Sequence, residues 1–185
     1  PKFRVLYAGT IGRAHPMRNV IEAAEILSEH KEIEFVFVGD PKAHILLEKE
    51  RAKRGLENVK FMPFQPIEKL KHVMESGDVH LVTMRDEAQG MLVPCKFYSG
   101  LTVGRPTVFA GPLNCEVSNV IQEFEAGRVV PCYDGKSLAE AIYDYRMDGD
   151  LWFAAQEGAL RAAQFYHPNK SLQAWVDLLE EVQRK

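Results

Sequence analysis

Short apolar runs alternate along the chain with stretches in which apolar residues recur three and four apart. Val5 to Ala8 reads as a buried strand closed by Gly9. Val20, Ala23, Ala24 and Leu27 then fall at i, i+3, i+4 and i+7, one face of a helix. Ile33 to Val38 predicts a second strand ended by Gly39-Asp40, and a helical stretch over 42–54 stops at Gly55. Val59 to Phe61 predicts a short third strand, and Pro66 opens a helix carrying Ile67, Leu70 and Met74, because its missing N–H costs nothing at a first helical position. Val79 to Thr83, Pro106 to Ala110 and Arg128 to Pro131 read as strands four to six. Between the last two, Val117, Val120, Ile121 and Phe124 line one face of a helix. Ser137 and Glu140 have capping-box spacing ahead of Leu138, Ala141, Ile142 and Tyr145. Residues 150–185 predict a helical tail that closes with Leu172, Trp175, Val176, Leu179 and Val182 on one stripe.

Strands that alternate with helices of about ten to fifteen residues imply βαβ units, because parallel strands need a crossover long enough to return the chain to the same edge. The expected fold is α/β, a Rossmann-like doubly wound parallel sheet of six strands with C-terminal helices. It forms a single domain over 1–185, without internal repeat or interior linker. The chain opens on Pro1 and enters a strand almost at once, so it reads as a piece of something longer.

Composition narrows the function classes. Lys plus Arg is 23 and Asp plus Glu is 26, a net charge of −3, without the basic excess of a general nucleic-acid coat. At 46% hydrophobic and 26% charged residues, the chain can build a core and is not disordered. Cys95, Cys115 and Cys132 have no C-x-x-C spacing and read as free thiols in a reducing compartment. No apolar run reaches the roughly 18 residues of a membrane span. The six histidines show no metal-ligand spacing, so neither a metal nor a cofactor is expected, and His80, in mid-strand, reads as a satisfied core residue.

In an open parallel sheet, ligands bind beyond the carboxyl ends of the strands where the strand order reverses, here between strands one and four. The loops to read are therefore 9–18 and 84–96. In the first, Gly9 and Gly12 permit close approach of backbone to a ligand, and Arg13 and Arg18 flank a helix start. The spacing matches neither the dinucleotide fingerprint nor a P-loop, and a tight turn with solvated arginines accounts for the same residues. In the second, Pro94 opens a helix and places Lys96 in its first turn, where a cation opposes the helix dipole. An anion bound there removes that conflict, because backbone N–H groups and Lys96 then face one charge, with Arg85 and Arg13 converging from neighbouring strand ends. A chance lysine is the plain alternative. His15 sits at the switch point, a place for a proton donor or a sugar contact. Cys95 beside Lys96 reads as incidental. Residues 62–66 either offer a flat base apolar and backbone contacts or simply pack on the sheet.

Several stretches occur in a telling order: Gly9-Thr10-Ile11-Gly12-Arg13-Ala14-His15, Asn58 to Pro66, Asp78 to Val82, Val93-Pro94-Cys95-Lys96-Phe97-Tyr98, Gly104-Arg105-Pro106, and Glu116. Over nearly its whole length the chain resembles the C-terminal, donor-binding half of GT-B glycosyltransferases of retaining family 4, of the bacterial colanic-acid and O-antigen type. The resemblance implies a nucleotide-diphosphate sugar as partner. Gly9, Gly12, Arg13, Arg85 and Lys96 would lie at the diphosphate, and Gly39, Asp40, Pro63 and Phe64 would border the nucleoside. It further implies transfer of a hexose or amino sugar to a glycan or lipid-linked acceptor held by a missing N-terminal half, in surface polysaccharide biosynthesis, without a metal. The location implied is cytoplasmic, free or at the cytoplasmic face of the membrane.

The chain departs from the family at its Glu-x7-Glu pair. Counting back from Gly104 places Ser99 and Met91 at those positions, so ribose and sugar contacts must come from elsewhere. Glu116 is a candidate substitute, and with His15 a candidate catalytic residue. Two other readings stand beside this one. One is a UDP-sugar epimerase of the same architecture, for which only His15 is visible here as an acid or base. The other is a noncatalytic module that binds a nucleotide or anion.

Overall fold

The computed structural model describes residues 2–184. Its strands are β1 (Phe3–Ala8), β2 (Ile33–Gly39), β3 (Val59–Pro63), β4 (Val79–Thr83), β5 (Thr107–Ala110) and β6 (Gly127–Val130). All pair in parallel in the order β3-β2-β1-β4-β5-β6. The order reverses between β1 and β4. The helices are α1 (Arg18–Ile26), α2 (Pro41–Arg54), α3 (Leu70–Glu75), α4 (Cys95–Thr102), α5 (Glu116–Phe124), α6 (Gly135–Met147), α7 (Gly149–Phe165) and α8 (Pro168–Gln183).

The central strands are largely apolar because both sheet faces are covered. On one face Val5, Tyr7, Phe35 and Phe37 pack against Val20, Ala23 and Ala24 of α1 and Leu138 and Ile142 of α6. On the other, Val82 and Phe109 meet Phe97 and Leu101 of α4, Val117 and Ile121 of α5, and Ala159 and Ala162 of α7. Near the β3 edge this second face is thin: Leu6, Val36 and Val38 have the short α3 above them, through Val73.

Three sequence expectations change. Pro66 does not open an α-helix; it precedes a 3-10 turn over Ile67–Lys69, and α3 begins at Leu70. Only Met74 of the expected apolar face is buried, while Ile67 and Leu70 are exposed. The helix at 135 is capped by Asp134 rather than Ser137. The Asp134 carboxylate accepts from the Ser137 amide at 2.9 Å and from its hydroxyl at 2.6 Å, so the residue expected to cap is itself the donor. The tail is helical in two pieces, α7 and α8, broken at Tyr166 and His167. The stripe on α8 lies entirely in solvent, with Trp175 64% exposed. No helix of the described residues is long and apolar enough to cross a membrane.

His80 is the satisfied core residue its position suggested: it is buried in β4, and its Nε2–H donates to the Met74 carbonyl at 2.8 Å. Burial lowers its pKa from 6.5 to about 4. The unfolded chain therefore takes up this proton first. The stabilisation is complete above about pH 6.5 and is lost as pH falls toward 4, amounting to about 3 kcal/mol. A His80→Gln variant, which keeps a donor and cannot titrate, is expected to show a shallower loss of melting temperature between pH 6.5 and 4.5 than the wild type. Parallel slopes in calorimetry at both pH values would remove His80 as the cause.

Candidate functional site

β1 ends at the switch point with the end of β2 on its other side, and the chain turns sharply there. The Gly9 amide donates to the Val38 carbonyl at 2.8 Å, and Gly9 then adopts φ +127°, a region closed to ordinary L side chains. Its position is also tight, because a Cβ there would lie 3.2 Å from the Lys96 Cε. Gly39 is required for a different reason: a Cβ on it would lie 2.6 Å from the Gly9 carbonyl oxygen. Gly12 is under no such constraint from the protein's own atoms. A Cβ there would meet only the His15 Cδ2, at 4.0 Å, and Gly12 merely starts the turn whose carbonyl accepts from the His15 amide at 3.0 Å.

Lys96 reaches into this turn from α4. Pro94 begins the helix without a side-chain cap, and the first turn holds no acid. The Lys96 ammonium donates to the Thr10 carbonyl at 3.3 Å and lies 3.3 Å from His15 Nε2, with the Tyr7 ring centroid 5.0 Å away. His15 Nδ1 sits 2.7 Å from the Thr83 carbonyl, which can only accept. Nδ1 therefore carries the ring proton, and Nε2 presents a lone pair to Lys96. Burial and then the Lys96 charge hold His15 below its ordinary pKa, so it is neutral near pH 7; burial likewise lowers Lys96. Among the described residues no carboxylate pairs with Lys96. A half-buried cation is thus held by a carbonyl, an imidazole lone pair and an aromatic face. Such neutral partners offset little of its desolvation, and an anion would offset more.

The remaining expected residues are distributed unevenly. Gly9, His15, Phe64 and Lys96 line one cavity of about 410 Å3, with Thr10, Gln65 and Ser99. Pro63 pairs with Gly39 in the sheet at its edge. Asp40 is not among the cavity's lining residues and caps α2, its carboxylate accepting from the Lys42 amide at 2.9 Å. Loops 9–18 and 84–96 do lie together, joined by the Arg85 amide and Ala14 carbonyl at 2.9 Å. Arg13 and Arg85 are both exposed. Glu116 opens α5 and lies beside the Tyr98 phenol, which burial and then this carboxylate push up to about 12. It lines a second cavity of about 540 Å3 on the other side of the α4 start, with Met84, Met91, Leu92, Pro94 and Val117. The two positions counted back from Gly104 therefore part company: Ser99 faces the first cavity and Met91 the second. Tyr7 and the Thr10 carbonyl escaped notice in the sequence. A tyrosine among aliphatic strand residues, two positions before the glycine turn, was the available signal.

The fold defines an α/β domain with a doubly wound parallel sheet, and a half-buried lysine stands at its switch point. Residues 2–148 match the family described as glycosyl transferases group 1, and the chain belongs to that family. It is 31% identical over 142 residues to an Escherichia coli K12 protein named "Putative colanic acid biosynthesis glycosyl transferase WcaI", covering 77% of this chain and 34% of that one. The chain thus spans about a third of that relative's length. Among solved structures it resembles Anabaena Alr3699/HepE in complex with UDP and glucose, at 19% identity and a TM-score of 0.76 over 97% of this chain and 48% of that one. It also resembles the C-terminal domain of the group 1 protein LpcC from Francisella tularensis, at 14% identity and a TM-score of 0.70, covering 90% of this chain and 86% of that one. The sheet with its flanking helices is of the GT-B type seen in these neighbours.

Proposed function

We propose that this domain holds the nucleotide-diphosphate sugar donor of a glycosyltransferase that builds a surface polysaccharide. The observation that carries the reading is Lys96: a half-buried ammonium at an uncapped helix start, beside Gly9, with only neutral partners. In transfer of a sugar, negative charge grows on the departing diphosphate, and a fixed cation with helix N–H groups stabilises it there. The nucleoside extends toward the cavity under Phe64, and the sugar toward the cavity between the α4 and α5 starts. The sugar is a hexose or amino sugar, transferred with retention to a glycan or lipid-linked acceptor in the cytoplasm. The chain's single domain supplies the donor half, and the acceptor half belongs to the rest of the protein. The exposed α8 stripe is a face for that remainder to cover. An epimerase would need a proton-transferring pair. His15 Nε2, already facing Lys96, has no carboxylate bonded to it among the described residues.

Titration of UDP and GDP into the domain is expected to give saturable binding of one of them in the micromolar range, whereas the domain incubated with donor and acceptor sugars transfers nothing. Absence of binding by both nucleotides up to millimolar concentration refutes the donor site. Turnover by the domain at the level of the intact protein refutes its being half of the catalyst.

A further inference from the structure

Beneath Lys96 lies Tyr7, a side chain to which the donor-site reading gives no task of its own. Tyr7 is 1% exposed and stands at the carboxyl end of β1, on the same sheet face as Val5 and Phe37. As core filling it needs only its ring, which Phe37 contacts at a centroid distance of 5.8 Å. Its hydroxyl does something else, donating to the Thr10 carbonyl at 3.1 Å. That same carbonyl accepts from the Lys96 ammonium at 3.3 Å. The face of the Tyr7 ring lies 5.0 Å from Lys96 Nζ, and the ring forms a T-shaped pair with the His15 ring at a centroid distance of 6.4 Å. One buried residue therefore touches every group that holds the ammonium.

We propose that Tyr7 is a positioning residue for Lys96, which fixes the Thr10 carbonyl and offers its ring face so that the ammonium is held ready for the diphosphate. This rests on the donor-site reading above. Thr10 lies between Gly9 and Gly12 in the turn, where local sterics restrain the backbone least. A carbonyl in such a turn can rotate, and a hydrogen bond from a rigid, buried phenol stops it. The ring face then adds attraction for a cation at a place where no carboxylate competes with the incoming anion. A carboxylate in the same position would bind Lys96 more tightly and would have to be displaced by the ligand. A neutral aromatic face orients the charge without neutralising it.

The test is a double-mutant cycle on nucleotide affinity, with Tyr7→Phe and Lys96→Ala alone and together, read by NMR titration with UDP or GDP, whichever the wild type binds. Tyr7→Phe keeps the packing and removes only the hydroxyl, so its melting temperature stays close to that of the wild type. It is expected to weaken binding about fivefold in the wild-type background and to have no effect once Lys96 is alanine. A residue with a merely structural role gives the same loss in both backgrounds, and that result overturns the proposal. So does unchanged affinity of Tyr7→Phe in a wild type that binds. Failure of the wild type to bind either nucleotide refutes the donor site itself, and Tyr7's role in it falls too. Tyr7→Leu, lacking the ring as well, is expected to bind more weakly than Tyr7→Phe, and the reverse order contradicts a role for the aromatic face.

Discussion

Replacing Lys96 by alanine is expected to weaken binding of UDP or GDP by about 30- to 100-fold, the equivalent of a charged hydrogen bond worth about 2–3 kcal/mol. The fold should survive the change. Lys96 makes no ion pair with a carboxylate among the described residues, and removing a partly desolvated cation relieves the site. The melting temperature of Lys96→Ala should therefore stay within about 2 °C of the wild type, so that lost affinity reports on the ligand contact alone. Lys96→Arg should recover only part of the affinity, because the broad guanidinium must pass Gly9, whose own Cβ position is 3.2 Å from the Lys96 stem. The affinity should also fall at alkaline pH, since burial lowers the Lys96 pKa and the neutral amine attracts no phosphate. Equal affinity of wild type and Lys96→Ala in calorimetric titrations would end the role assigned to this residue.

Gly39→Ala is the second change with a large expected effect, and it acts on fold and site together. The new methyl group would lie 2.6 Å from the Gly9 carbonyl oxygen and 3.3 Å from His44 Nε2. The first neighbour is backbone, so the clash cannot be relieved by a rotamer change. The ends of β1 and β2 must separate where the Gly9 amide bonds to Val38. A forced shift of packed backbone costs about 3 kcal/mol, or roughly 6–12 °C in melting temperature for a domain of this size. Gly9 moves with it, and Lys96 loses the surface along which its stem runs. Nucleotide affinity should therefore fall even at temperatures where the variant is fully folded. Scanning calorimetry showing a melting temperature within about 1 °C of wild type would mean that the close approach is not required.

Much of the architecture was legible because a parallel sheet covered on both faces leaves a strong mark in sequence. Ile33–Val38 is apolar except for Glu34 and Val79–Thr83 except for His80 and Thr83, and α5 shows its buried face at Val117, Val120 and Ile121. Local features decided by one competing hydrogen bond were less legible. At the start of α6, Asp134 and Ser137 are both competent caps, and only the three-dimensional path of the chain makes Asp134 the acceptor. Pro66 fits a first helical position, yet the chain forms a 3-10 turn there because Ile67 and Leu70 find no core to enter.

The candidate site divides in the same way. Gly9, His15 and Lys96 could be singled out from loop position and from a cation set against a helix dipole. These are rules of local chemistry, and the structure brings the three within contact. Gly12 was singled out by the same rule, and a Cβ there would meet no protein atom nearer than His15 Cδ2 at 4.0 Å. Arg85 stands exposed on the loop that bonds to Ala14 at this rim. Glu116 lies beside Tyr98 on the far side of the α4 start.

By itself the sequence determined an α/β sheet of six parallel strands, the place where its order reverses, and a lysine there set against a helix dipole. All of these follow from periodicity and helix electrostatics, which act over a few residues. Only the tertiary structure decided that Lys96 rests on the Thr10 carbonyl, His15 and Tyr7, and that Ser99 and Met91 face different cavities. Those contacts join residues more than eighty positions apart, and their geometry depends on how far two strand ends approach, a distance that no local pattern encodes.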